Sequence, residues 1–529
     1  MRKFYYILQF SVLTVFAISG VYFSKFTAED AFITYRYAEN WINIGSLVYN
    51  QGEPINAMTS PIHAILSAAL FWVTGNTVLS NKVVAIILVL VSALIVWNHS
   101  RNHPQWQVFA LVLVLLPPSI LLWTFGGLET PLLLFLVTVT VSLAYREPPY
   151  DFGMVCAVFL LAVLGVLTRY DSILFFVPLT VYVALNARSL KYAAIAFIGA
   201  GFLFLSWLAV SILYYGDLLP TSYYVKTPIL NLNGLFFNGI YISSYLLFIG
   251  LLPVLLLTFF LIQPKHKVHS ILFGHIKTKV WLYLGLLLEL LYGLTIATHH
   301  MMFSFRFFVP YIPAAAILVV DLLRNASEIT EVDSFSGRPA RVFTGFLLCL
   351  MLFQIYQNVY TYRRSVNGIS MIGEYRSLGV EDYVRFIQIL KQEALDIEKH
   401  WELIGGAMNR RPRIITFAAG MLPYTYRDAY IYEKLISYRH CHQRQNQGLH
   451  ADYIHILAPR LGQLDEQLPG PDERYLMVSA YELYFDGSKQ MFLVYYNPNP
   501  EEHNLGRKIY EHCQQLEKAK IPINLSTEQ

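Results

Sequence analysis

Charge is scarce in this chain. Asp, Glu, Lys and Arg make up 14% of its 529 residues, against about 25% in soluble globular proteins. A net charge of +4 over that length leaves no electrostatic footprint for nucleic acid. Four cysteines are too few for a disulfide scaffold. The sequence holds no GxxxxGK[ST], no GxGxxG ahead of a strand-like run and no HExxH. Nucleotide-hydrolysing transport and zincin proteolysis therefore lack support. Nor is there a repeat or a low-complexity tract. Apolar residues are abundant instead: 55% hydrophobic and 15% aromatic, with a mean hydropathy of +0.45. So many aromatics exclude disorder. The composition is that of a polytopic α-helical membrane protein, with the lipid bilayer as its first partner.

The charges are unevenly placed. Residues 371–529 hold 18 Lys/Arg and 21 Asp/Glu, 39 of the chain's 74 charges. This divides the chain into a transmembrane domain (1–362) and a water-soluble C-terminal domain (363–529). Apolar runs near spanning length lie at roughly 4–23, 78–97, 106–123, 128–145, 152–168, 172–187, 191–214, 240–262, 280–297, 307–324 and 341–360, eleven in all. The first lacks a small-residue cleavage site and is read as an uncleaved span. Residues 61–75 are apolar but short, and are read as an interfacial or re-entrant helix in the first outer loop, 24–77. With the N-terminus inside, thirteen Lys/Arg fall in short inner segments and eight in longer outer ones before the tail. An odd number of spans puts the tail outside. In a bacterium that is the periplasmic face of the cytoplasmic (inner) membrane. Strand-like runs at Arg413–Ala418, Tyr453–Leu457, Tyr475–Val478 and Gln490–Tyr496, with helical patterns over Glu381–His400 and Gly506–Lys520, predict a small α/β fold there. Cys441 and Cys513 both lie in that oxidising location and are candidates for a bridge; Cys156 and Cys349 lie in spans.

Under this topology the unusual polar sequences gather on the outer face. Glu29 and Asp30 are adjacent acids just past the first span. A carboxylate at a partly dry surface has a raised pKa and can take a proton from a hydroxyl nucleophile. The plainer reading is a solvated cap on the helix that follows, with Arg36 as a structural ion-pair partner. Glu129 enters an apolar run after two glycines, which is costly unless it faces a cavity or caps the helix. Arg169 and Asp171 flank Tyr170 at a span boundary, where a local salt bridge is the ordinary account. The stretch Tyr214–Thr227 carries Tyr223, Tyr224 and Lys226. Aromatic rings there suit both sugar faces and interfacial anchoring. Lys226 and Arg306 are the best cations for a phosphate at the surface, and Phe305, Phe307 and Phe308 bracket Arg306. Headgroup snorkelling is the alternative for both. His299 and His300 have metal-ligand chemistry, but adjacent histidines rarely ligate one ion alone. No metal ligand is assigned, and a divalent ion as cofactor is left open. Glu289 stands mid-span, either in a helix-to-helix hydrogen bond or in a site.

The segment EDAFITYRYAENW (Glu29–Trp41) resembles the DDAFI-x-x-RYA-x-N pattern in the first outer loop of GT-C glycosyltransferases of the arabinofuranosyltransferase (AftB) type. LVYNQGEPINAMTSPIHAIL (Leu47–Leu66), GGLET (Gly126–Thr130), LTRYDS (Leu167–Ser172) and YYGDLLPTSYYVKT (Tyr214–Thr227) are similar to further motifs of that family, in order. In the tail, TFAAGMLPYTYRD (Thr416–Asp428) resembles its G-x-x-G-x-x-P-Y-Y segment. The resemblance implies a GT-C fold and transfer of a sugar, arabinofuranose or another pentose or hexose. The donor would be a polyprenyl phosphate and the acceptor an envelope glycan or glycolipid. It also implies that the first-loop acid pair is the catalytic element, with Asp30 as base and direct inversion. This sequence departs in having Glu29 at the first acid position. A flippase for lipid-linked glycans is the competing reading, and needs charges lining a path through the membrane. A non-catalytic envelope assembly protein of the same fold is another.

Overall fold

The computed structural model describes residues 2–101, 103–226, 232–249, 276–295, 303–329, 338–364, 379–405, 410–416, 418–433, 452–458, 476–485 and 488–496. The N-terminal part is helical. It runs α1 (Arg2–Phe23), α2 (Ala31–Ile44), α3 (Pro61–Thr74), α4 (Thr77–His99), α5 (Pro104–Leu115), α6 (Pro118–Phe125), α7 (Thr130–Ala144), α8 (Phe152–Thr168), α9 (Ile173–Leu185), α10 (Leu190–Val210), α11 (Thr221–Lys226), α12 (Leu232–Phe248), α13 (Ile276–Thr295), α14 (Ile312–Ile329) and α15 (Arg338–Arg363). A helix stands at the place of each expected span, although residues 250–262 of the eighth lie outside the described residues.

Among the described residues, four helices are long and apolar enough to cross a membrane: α1, α4, α10 with the turn that extends it, and α15. The pair α5 and α6, bent by 53°, makes a fifth if taken as one span. That bend has a local cause. Pro117 and Pro118 donate no backbone hydrogen bond, and Pro117, placed before a proline, takes an extended ψ of 132°. The expected run 106–123 is therefore a broken helix. The short helix α3 starts at Pro61 and stops at Gly75, whose φ of +67° suits glycine. It buries His63, Ala64, Ser67 and Ala68 and leaves Trp72 and Val73 exposed.

In the tail, α16 (Val380–Gly405) places Leu390, Ala394, Ile397 and Trp401 on one buried stripe. Its companion is a five-stranded sheet of β1 (Arg413–Ile415), β2 (Tyr430–Tyr432), β3 (Tyr453–Ala458), β4 (Leu476–Phe485) and β5 (Ser488–Tyr496), in the order β2-β1-β3-β5-β4. β1 runs parallel to β2 and β3, while β5 is antiparallel to β3 and β4. The short strand β2 had no sequence signal of its own, because three residues are too few to show alternation. Residues 506–520, Cys441 and Cys513 lie outside the described residues.

The first loop and the tail are welded together by burial, not merely tethered. Tyr37, Tyr49, Ile55 and Met58 of the first loop share a single apolar core with Ile397, Trp401, Ile414, Leu422, Tyr426 and Ile431 of the tail.

Candidate active site

The first loop leaves α1 through a turn in which the Ala28 N–H donates to Gly126 O at 2.9 Å. This pins the acid pair against the turn between α6 and α7. Gly127 in that turn has φ +76°, and a Cβ there would sit 2.5 Å from the Tyr35 hydroxyl and 3.2 Å from Ala31. The GGLET glycine thus has two physical reasons: a left-handed backbone and close approach of α2.

Asp30 and Glu129 occupy the N-cap positions of α2 and α7, yet neither side chain accepts a capping hydrogen bond. Both turn to arginine instead. Asp30 Oδ2 lies 3.8 Å from Arg306 Nη1. Arg306 Nη2 donates to Glu129 Oε1 at 2.9 Å, and Arg169 Nη1 stands 3.5 Å from the same oxygen. Arg169 then makes a two-point contact with Asp171, 2.8 and 3.2 Å. The result is a row of alternating sign, Asp30–Arg306–Glu129–Arg169–Asp171, drawn from four separate segments. Glu129 is buried, and the guanidiniums of Arg306 and Arg169 are the positive partners that make a carboxylate tolerable there. Only the Asp30 end opens outward: its side chain is 52% exposed, against 10% for Arg306.

Arg306 is fixed from below. Its guanidinium lies 5.3 Å from the Trp123 ring centroid. Ser304 and Phe305 just before it have φ of 51° and 57°, a costly conformation for non-glycine residues. Phe305, Phe307 and Phe308 are buried; Phe305 and Phe308 pack against Tyr241 and Tyr245, and Phe307 stacks on Tyr292. Phe307 also lies under Arg169, 5.4 Å from its guanidinium.

Glu29 faces the other way. Its carboxylate accepts the backbone N–H groups of Gly420 and, at 3.2 Å, Met421, while its own N–H donates to the Tyr383 hydroxyl at 2.9 Å. Burial, with the Asp30 charge beside it, pushes the Glu29 carboxyl up to about 8 against the pull of those two amides.

Arg36 does not pair with Asp30. Its donors reach five carbonyls: Tyr49 at 2.8 Å, Pro423, Tyr426 at 3.5 Å, Arg427 at 3.2 Å and Ala429 at 3.0 Å. An always-charged planar fork is well suited to gathering carbonyls, and here it clasps the tail to α2. Glu39 does the same from the next turn, holding Thr77 at 2.5 Å, Tyr424 at 2.6 Å and Arg427. Tyr223 is exposed on α11. The preceding segment is tied to the first loop by Tyr215 to Leu47 O (2.8 Å) and Asn56 to Ser211 (2.8 Å). His299 and His300 lie outside the described residues, as do the side chains of Tyr224 and Lys226. Glu289 is buried on α13 beside the Tyr311 hydroxyl. Among the described residues, no group of three or more His, Cys, Asp or Glu is placed to hold a metal ion.

Trp123, Tyr383, Glu39 and Gly420 are functional positions that residue type alone does not single out. Trp123 sits three residues before the GGLET turn, and Glu39 and Gly420 lie inside the motif-like segments Glu29–Trp41 and Thr416–Asp428, all usable positions; Tyr383 is placed by a contact across the chain that no local pattern carries.

Neither a protein-family model nor a curated protein sequence matches the chain. Two solved structures do. ArnT from Cupriavidus metallidurans bound to undecaprenyl phosphate matches at 10% identity, covering 92% of this chain and 97% of that one, with a TM-score of 0.53. ArnT from the same organism in the apo state matches at 9% identity over 93% and 98%, with a TM-score of 0.49. At such identity the first likeness establishes the fold. The chain shares the fold of that ArnT structure over 92% of its length.

Proposed function

We propose that this protein is an integral-membrane glycosyltransferase of the bacterial cytoplasmic membrane. It moves a sugar from a polyprenyl-phosphate donor to an envelope glycan or glycolipid on the outer face. The observation that carries this reading is the exposed Asp30 carboxylate beside an arginine that is itself stacked, strained and salt-bridged into place. A base and an anion-binding cation, side by side at one end of an apolar bundle, are what transfer from a lipid phosphate needs. That the GT-C neighbour was solved with undecaprenyl phosphate supports the donor class.

In this mechanism Asp30 accepts the proton of an acceptor hydroxyl. The oxygen attacks the anomeric carbon as the bond to the donor phosphate breaks, and direct displacement inverts that centre. Arg306 stabilises the charge growing on the leaving phosphate, and Lys226 is its expected helper. Glu129 and Arg169, backed by Asp171, keep Arg306 aimed. Tyr223, exposed on α11, offers a stacking face for a sugar ring. The motif resemblance leaves the sugar as arabinofuranose or another pentose or hexose.

Asp30→Asn keeps the shape of the side chain and removes its basicity. General-base catalysis supplies roughly 10²–10⁴-fold. Purified Asp30→Asn protein should therefore lose transfer from a polyprenyl-phosphate sugar by about that factor, with normal yield and donor binding. Transfer within a fewfold of wild type would remove Asp30 from the chemistry.

A further inference from the structure

The two acids of the pair are adjacent, so one backbone turn must decide which of them meets Arg306. No side-chain bond within α1 or α2 makes that choice: the Asp30 side chain makes no capping bond, and the Glu29 carboxylate bonds to the tail, only its backbone carbonyl accepting locally, from Phe32 N–H at 3.2 Å. The choice is made from some 390 residues away in sequence. Gly420 and Met421 donate their N–H groups to the Glu29 carboxylate, and the Tyr383 hydroxyl takes the Glu29 N–H at 2.9 Å. Gly420 is the residue that makes this approach feasible. A Cβ there would overlap both the carbonyl oxygen and the carboxylate of Glu29. The Gly420 segment is in turn held against the first loop by independent bonds. These are the Arg36 clasp, the Tyr49 hydroxyl on Ala419 O, and the reciprocal pair of Asn50 with Ile431 at 2.9 and 3.1 Å.

We propose that Glu29 is a positioning residue, anchored by the Gly420–Met421 amide pair of the tail, and that this anchor leaves Asp30 alone to face Arg306. This rests on the reading of Asp30 as the base. It assigns the tail a direct part in aiming the reacting loop, in addition to any part in recognising the acceptor. Released from the amides, Glu29 would be a second flexible carboxylate competing for the same guanidinium. The Asp30–Arg306 geometry would then be one of several arrangements.

The test uses the full-length protein with two readouts. One is amide hydrogen exchange of the peptide spanning residues 418–424. The other is sugar transfer from a polyprenyl-phosphate donor, with kcat and donor KM separated. Glu29→Gln keeps an acceptor oxygen for the amides, so exchange should stay slow and kcat should fall only a fewfold. Glu29→Ala removes the acceptor. Exchange should then rise about tenfold or more, and kcat should fall at least tenfold below the Gln variant with donor KM little changed. Gly420→Ala should resemble Glu29→Ala, and the double variant should be no worse than the worse single one, as expected of one shared interaction. Unchanged exchange in Glu29→Ala overturns the anchor. Glu29→Gln as inactive as Glu29→Ala, with exchange still slow, overturns the positioning role and makes Glu29 a reacting group. If wild type transfers from no polyprenyl-phosphate donor, the enzymatic reading fails, while the exchange data still decide the anchor.

Discussion

Arg306 is held from three directions: Trp123 beneath it, Glu129 at 2.9 Å and the buried phenylalanines beside it. A guanidinium so constrained has little rotamer freedom left to lose when an anion arrives. Its fork also meets two phosphate oxygens at once. A lysine at this position would keep the charge but lose the stacking plane and the fork that reaches Glu129 with one nitrogen and Asp30 with the other. It would leave Glu129 buried with a poorer partner, a change that costs several-fold more than an exposed pair would. Arg306→Lys should therefore lower transfer by roughly 10²-fold or more while the protein still inserts and accumulates. Activity near wild type in Arg306→Ala, assayed in the same membranes, would reassign Arg306 to headgroup contact.

At the scale of elements, the site depends on a turn more than on any helix. Gly127 is where α2 and the start of α7 come together, with Tyr35 and Ala31 in contact range of its missing side chain. Gly127→Ala adds a left-handed penalty of about 1–2 kcal/mol and an overlap with the Tyr35 hydroxyl. The expected result is a fall in Tm with a larger fall in kcat, because Glu129, two residues on, moves with the turn. A variant that loses stability but keeps full kcat would show that Arg306 is aimed without Glu129. Much of this is legible in the sequence. Apolar runs announce helices, since a membrane demands about 20 such residues. Acids and arginines at the ends of those runs stand out because they are expensive there. The family motifs mark the GGLET turn and the acid pair. Illegible are the partners. Arg36 reads as a structural ion-pair partner of the acid pair, and its five carbonyls come mostly from residues 423–429, a pairing of two distant segments that no period announces. Likewise the Pro117–Pro118 bend inside a run of full apolar length shows that hydropathy counts residues without registering where a helix must break.

For the whole molecule, the shared core of first loop and tail turns two questions of sidedness into one. Tyr383 and Gly420 of the tail bond Glu29, so the tail and the charged row must lie on the same side of the membrane. The proposal that this side is the outer one rests on the Lys/Arg bias, thirteen basic residues in short inner segments against eight outside. The row is useful only if that is right. A lipid-linked donor and an envelope acceptor meet outside, and an inward-facing Asp30 would have neither. Two independent probes should therefore agree. A reporter active only in the periplasm, fused after residue 529, should be active. Lys25→Cys should react with a membrane-impermeant thiol reagent in intact cells, because Lys25 is an exposed residue of the first loop. The background for that experiment lacks all four cysteines, Cys156, Cys349, Cys441 and Cys513. Labelling only after the cells are opened, together with activity of a cytoplasmic reporter at the C-terminus, would invert the molecule and with it the proposed acceptor. If the two probes disagreed, the docking of the tail on the first loop would itself be wrong, since the Glu29 contacts cannot cross a bilayer.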